Sequence, residues 1–163
     1  MMTQQTADAG FEAFFRAEYT KLVAIGRGLT GSHDLATDLA QETLLRCHRD
    51  WARVSTFDVP GAWARRVLVN LSIDAHRAAA RNRRVPAWVH QVEPVAPADP
   101  AVDGWWSAVR ALPDRQRAVV VLHYLEDRSV DDIAQLLGIA AGTVKSSLAR
   151  GRAHLARTIG KDT

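Results

Sequence analysis

The chain has 163 residues, 47% of them apolar and 24% charged, with a formal charge of +3. That is ordinary composition for one globular domain or two small ones. A single cysteine, Cys47, excludes an internal disulfide framework and any site built on several thiolates. No apolar run reaches the roughly 18 residues of a membrane span, and the MMTQQTADAG start lacks the basic and apolar blocks of a signal peptide, so a cytoplasmic protein without membrane insertion is expected. Charge is unevenly spread: residues 1–50 carry −2, 51–90 carry +5, 91–104 carry −3 and 105–163 carry +3. Arginine outnumbers lysine 18 to 3, and arginine is the side chain suited to bidentate phosphate contacts.

In chain order, Phe11, Phe14 or Phe15, Leu22, Ile25 and Leu29 recur at helical steps, and Gly31 ends that helix. Ser32 caps a second helix, whose inner stripe is Leu35, Leu39, Thr43 or Leu44, Cys47 and Trp51. A short loop, VSTFD, leads to Pro60, a residue suited to a first helical turn. The third helix is expected to bury Trp63, Val67, Leu71 and Ala75. Opposite them, Arg66, Asn70, Arg77, Arg81 and Arg84 share one stripe. Exposed Arg and Asn beside a loop carrying Phe57 suit single-stranded or melted DNA, with phosphate contacts and a stacking ring. The alternative is a solvated charged face with Phe57 packed in the core.

Four prolines (Pro86, Pro94, Pro97, Pro100) mark residues 85–102 as an extended linker. Beyond it, 102–111 and 114–125 read as helices, the second with Val119, Leu122 and Leu125 inward. Ser129 and Asp132 form a capping-box start, Gly138 supplies a turn, and a basic helix runs from about 142 to 159. A short helix, a glycine turn and a basic helix make a helix-turn-helix. Ile133, Leu136 and Leu137 form its inner face, Val144 and Leu148 pin the second helix, and Thr143, Lys145, Ser146, Arg150 and Arg152 are left to face DNA. The plain alternative is a helical hairpin with a solvated basic face. The expected fold class is all-α: a flexible N-terminus (1–10), a helical domain (11–84), the linker (85–102) and a helix-turn-helix domain (103–163).

DLATDLAQETLLRCHR (34–49), PGAWARRVLVNLSIDAHRAAARNRR (60–84) and the 111–155 segment together resemble the extracytoplasmic-function (ECF) sigma factors of bacterial RNA polymerase. The resemblance covers residues 11–84 and 103–157. It implies that Asp38, Gln41, Glu42 and Leu45, matching D-x-x-Q-E-x-x-L, bind core polymerase. It also implies that Phe57, Trp63, Arg66, Asn70 and Arg77 take the melted minus-ten strand, and that the helix-turn-helix reads the minus-thirty-five element. The partners implied are core RNA polymerase and promoter DNA, with an anti-sigma factor as a further partner the family allows. The acidic linker would lie in the polymerase's nucleic-acid channels. Departures from the family pattern fall at Ala140-Ala141, which lack a side-chain cap, and at Ser147 and Gly151, where a phosphate or base contact is expected to be missing. The competing reading is a free-standing helix-turn-helix regulator with N-terminal helices for dimerisation or sensing. No catalytic residue, small-molecule substrate, cofactor or metal is expected, since the six histidines show no ligand spacing and no phosphate-binding glycine loop is present.

Overall fold

The computed structural model describes residues 2–82 and 100–160. Eight helices occur among them: α1 (Met2–Thr30), α2 (His33–Arg49), α3 (Trp51–Val54), α4 (Pro60–Arg81), α5 (Pro100–Arg110), α6 (Asp114–Tyr124), α7 (Val130–Leu137) and α8 (Ala141–Ile159). Most of the 85–102 linker, and Arg84, lie outside the described residues; α5 already begins at Pro100.

The helix boundaries follow local chemistry. Gly31 turns α1 into α2 at φ +74°, and the Ser32 hydroxyl accepts the Leu35 amide at 3.2 Å to cap α2. Pro60 opens α4, where its missing N–H costs nothing. At α7 both halves of the capping box form, Asp132 N to Ser129 Oγ at 3.1 Å and Ser129 N to Asp132 Oδ2 at 3.4 Å. Gly138 closes α7 in the left-handed region at φ +66°. Of the arm expected to be flexible at residues 1–10, residues 2–10 form the first part of α1. Gly10 lies where an added Cβ would sit 3.6 Å from the Trp51 indole nitrogen, so the extended helix packs on α3 at that point.

Two buried faces differ from the expected stripes. On α2, Leu35 is exposed at 38% while Ala36 and Ala40 are fully buried, because the small residues let α1 approach closely: a Cβ at Gly26 would meet Ala36 at 3.0 Å. On α4 the buried positions are Gly61, Ala64, Arg65, Leu68, Val69 and Ser72, whereas Trp63, Val67, Leu71 and Ala75 are only half-buried. The face has rotated by about one residue because Arg65, which reads as polar, is an interior residue. Leu125, expected inward, is 41% exposed at the end of α6.

The two halves share one hydrophobic core. Leu22, Ile25, Leu44 and Leu68 from the N-terminal part and Val109, Leu112, Leu122, Ile133 and Val144 from the C-terminal part belong to the same buried cluster. Gly28 leaves room on α1 for the Trp106 ring and Val121, which would lie 3.0 and 3.2 Å from a Cβ there. Arg117, 9% exposed, spans the seam. It donates to the Leu29 carbonyl near the end of α1 at 3.2 Å, and to Arg110 O (2.9 Å) and Leu112 O (2.8 Å) after α5. A guanidinium there satisfies carbonyls that helix ends leave unpaired and complements the negative end of each helix dipole. Burial is the main influence on Arg117 and pulls its pKa down, with Arg110 adding to this and Asp114 opposing it.

Candidate nucleic-acid interface

The outer face of α8 carries Thr143, Lys145, Ser146, Arg150 and Arg152, all exposed, while Val144, Ser147, Leu148, Gly151 and Leu155 are buried beneath. The helix is held against α7 by Ile133, Ala134 and Leu136. One residue that the sequence did not single out shapes this face. The Tyr124 hydroxyl accepts the Arg152 Nε–H at 2.7 Å, and the Arg152 guanidinium sits 5.9 Å from the Tyr124 ring centre. Tyr124 is 28 residues away in sequence, so no local pattern reveals the pair.

Ser147 and Gly151, the two departures on α8, are both interior positions. Ser147 is 7% exposed and faces inward. Gly151 lets α8 close on α6, since a Cβ there would lie 2.7 Å from Val120 Cγ2. Both positions belong to the packing face of α8, opposite the exposed basic side chains. Ala140 does lack a side-chain cap, as expected.

On α4, Arg66, Asn70, Arg77 and Arg81 are exposed along one stripe. Phe57 is half-buried rather than core or free. Its ring centre lies 6.5 Å from that of Trp63, and the Arg53 guanidinium sits 5.8 Å from Phe57 and 5.9 Å from Trp63. Arg53, on α3, is thus a cation held at two aromatic faces. Phe57, Trp63 and Arg66 line a cavity of about 350 Å³ whose far wall is Arg128, Asp132, Gln135 and Leu136 from the helix-turn-helix half. The structure therefore brings together three residues that the sequence proposed for single-stranded DNA. Asn70 lines a smaller neighbouring cavity with Arg115, Leu137 and Ile139, and Arg77 lies further along α4.

On α2, Asp38 and Gln41 are exposed and Leu45 is 53% exposed. Leu35, Asp38, Glu42 and Leu45 fall at helical spacing on one outward face, so two large apolar side chains flank two carboxylates. Glu42 is engaged within its own helix, accepting Arg46 Nε at 2.8 Å.

On the buried side of α4 lies an ion-pair cluster around Arg65. The Arg65 side chain, 3% exposed, donates through Nε to Glu126 Oε2 at 2.5 Å and through Nη1 to Glu18 Oε2 at 2.7 Å and Gly61 O at 2.9 Å. Gly61 makes the space, because a Cβ there would lie 2.9 Å from Nη1 and 3.0 Å from Glu18 Oε1. Burial by itself would lower the Arg65 pKa; the Glu126 and Glu18 carboxylates more than offset it and raise it. Burial likewise pushes Glu126 up, but Arg65 and Arg128 bring it below the ordinary carboxylate value.

Residues 14–82 match Sigma-70 region 2 and residues 105–155 match Sigma-70, region 4. The ECF RNA polymerase sigma factor SigM of Mycobacterium tuberculosis is 34% identical over 153 residues, covering 92% of this chain and 77% of that one. The RNA polymerase sigma-E factor of Streptomyces coelicolor is 31% identical over 151 residues, 89% and 83% of the two chains. The sigma factor RpoE of Bartonella quintana, solved in complex with the anti-sigma factor NepR, superposes with a TM-score of 0.73 at 25% identity over 94% of this chain and 99% of that one. With a region 2 and a region 4 in this order and relatives above 30% identity along most of its length, the chain belongs to the ECF RNA polymerase sigma factors.

Proposed function

We propose that this chain is a promoter-specificity subunit that binds core RNA polymerase, reads promoter DNA with two separate faces and directs initiation, while the polymerase performs the chemistry in the cytoplasm. The observation that carries the reading is the pairing, in one chain, of a cavity lined by Phe57, Trp63 and Arg66 with a helix-turn-helix whose outer face is basic. A simple repressor needs only the second.

Thr143, Lys145, Ser146, Arg150 and Arg152 contact the minus-thirty-five duplex, the N-terminal half of α8 lying in the major groove. Phe57, Trp63, Arg66, Asn70 and Arg77 take the melted minus-ten strand. Extruding a base costs a few kcal/mol, which stacking and hydrogen bonds in the cavity recover. Asp38, Gln41, Glu42 and Leu45 hold the polymerase, with Leu45 the apolar anchor between polar neighbours. By likeness to RpoE with NepR, an anti-sigma factor is a further partner.

The test is co-purification of the full chain with core polymerase, followed by run-off transcription from its native upstream region. Stable association and new, sequence-dependent initiation are expected, and Gln41→Ala with Glu42→Ala lowers both. Duplex binding without polymerase association would instead establish a free-standing helix-turn-helix regulator.

A further inference from the structure

We infer that Tyr124 is a positioning residue for duplex DNA: its hydroxyl holds the Arg152 guanidinium by the Nε–H and leaves both Nη groups to take a backbone phosphate beside the minus-thirty-five element. The inference rests on the assignment of the outer α8 face to duplex DNA made above.

Three observations carry it. Arg152 is tied to another element, its Nε–H donating to the Tyr124 hydroxyl at the end of α6 at 2.7 Å, whereas Lys145 and Arg150 on the same face have no side-chain partner among the described residues. The partner is also neutral. Exposed arginines elsewhere, such as Arg16, Arg46 and Arg53, lie against carboxylates that cancel their charge; Arg152 is oriented and keeps its charge. Tyr124, although 47% exposed, is itself braced. Its ring meets the edges of Trp105 on α5 (6.1 Å, 81°) and of His123 (4.9 Å, 85°), and His123 Nδ1 lies 2.9 Å from the Arg128 carbonyl.

Helix geometry decides between a base and a phosphate. Arg152 follows Lys145 by seven residues, which places it within about 20° of the same line along α8 and about 10 Å further on. The major groove is about 12 Å wide. With the first turns of α8 at the base edges, Arg152 therefore reaches the wall of the groove, where the phosphates are. A guanidinium presents its two Nη groups as a fork that matches a phosphate. A free arginine would lose its rotamer freedom on binding; one already held by Tyr124 has less to lose.

The test uses the full chain assembled with core polymerase and a fluorescein-labelled duplex from its native upstream region that stops before the minus-ten element, titrated over a series of salt concentrations. Tyr124→Phe removes the hydroxyl and keeps the ring; binding about fivefold weaker is expected, the effect of ordering one long side chain on contact. Arg152→Gln removes the charge and lowers the salt slope by about one as well as the affinity. In the R152Q background Y124F changes nothing further, which separates a residue acting through Arg152 from one that only supports the fold. Arg152→Lys keeps the slope and loses about as much affinity as Y124F, because one ammonium cannot offer one nitrogen to Tyr124 and two to a phosphate. R152K is read in place of Y124F if the latter is unfolded by circular dichroism. Each loss is the same on a duplex of permuted sequence, as a phosphate contact requires. Additive losses in the cycle, or wild-type affinity in Y124F or R152K, would overturn the positioning role. An unchanged slope in R152Q, or a loss confined to the native sequence, would overturn the phosphate contact. Polymerase association of the wild type is scored separately: association with an additive cycle rejects only the role of Tyr124, and no association rejects the underlying sigma reading.

Discussion

Gly151 and Val120 illustrate how a single position is decided by its neighbour. In the interior of a helix, glycine is worse than alanine by roughly 1 kcal/mol, so Gly151→Ala would gain on propensity alone. Val120 is fully buried and cannot yield, and the added Cβ would meet its methyl group at 2.7 Å. Overpacking of this kind costs about 1–3 kcal/mol, and it outweighs the propensity gain. Gly151→Ala should therefore lower the thermal midpoint, and Val120→Ala in that background should recover part of the loss. A double-mutant cycle with a near-zero coupling energy would contradict this account of the pair. Cys47 shows the same logic in chemistry: fully buried, with burial the main cause that pushes its pKa up to about 12, it is a core residue and no nucleophile.

At the scale of the element, α7 and α8 are opposites in how they begin. α7 has eight residues and a complete capping box, which pairs the Ser129 and Asp132 amides at its start. α8 starts at Ala140 with no side-chain cap and relies on Val144 and Leu148 packing to hold its first turns. Ser129→Ala should cost about 1 kcal/mol and Ala140→Ser should gain somewhat less, both read from chemical denaturation with an unchanged slope. The N-terminal turns of α8 hold Thr143, Lys145 and Ser146, so the gain would also stiffen the face assigned to duplex DNA.

At the scale of the whole molecule, polar contacts described across the seam include Arg65 with Glu126 and Arg117 with the Leu29 carbonyl. His76 Nδ1 lies 2.9 Å from Asp114 Oδ1 across the seam. Glu126 is the carboxylate at this seam whose pKa is shifted, downward, by Arg65 and Arg128 against the effect of burial. Its folded pKa is below the ordinary 4.5, so its contribution to stability is fully present above that value and is lost as pH falls through the lower folded value. The stability of the wild type to chemical denaturation should fall as the solution is acidified below about 4.5, in a step that Glu126→Gln lacks. A wild-type step no larger than that of Glu126→Gln would assign the acid loss of stability to another group.

The local signals in this sequence were legible because each is written within a few residues. Ser32, the Ser129–Asp132 box, Pro60, Gly31 and Gly138 specify helix starts and stops through their own side chains or backbone freedom, and the spacing of Thr143, Lys145, Ser146 and Arg150 against Val144 and Leu148 already separates an outer from an inner face of α8. The D-x-x-Q-E-x-x-L run and the Trp63–Arg77 spacing carried the family in the same way. What the sequence could not express was which polar residues become interior. Arg65 looks like one more arginine of a basic stripe until Glu18, 47 residues away, and Glu126, 61 residues away, close on it; this rotates the buried face of α4 and makes Trp63 a cavity wall instead of core. The inward turn of Ser147, the Tyr124–Arg152 bond and the cavity between the halves depend likewise on contacts between distant segments. Burial of a charge is settled by the partners that meet it, and those partners are brought together only by the tertiary fold.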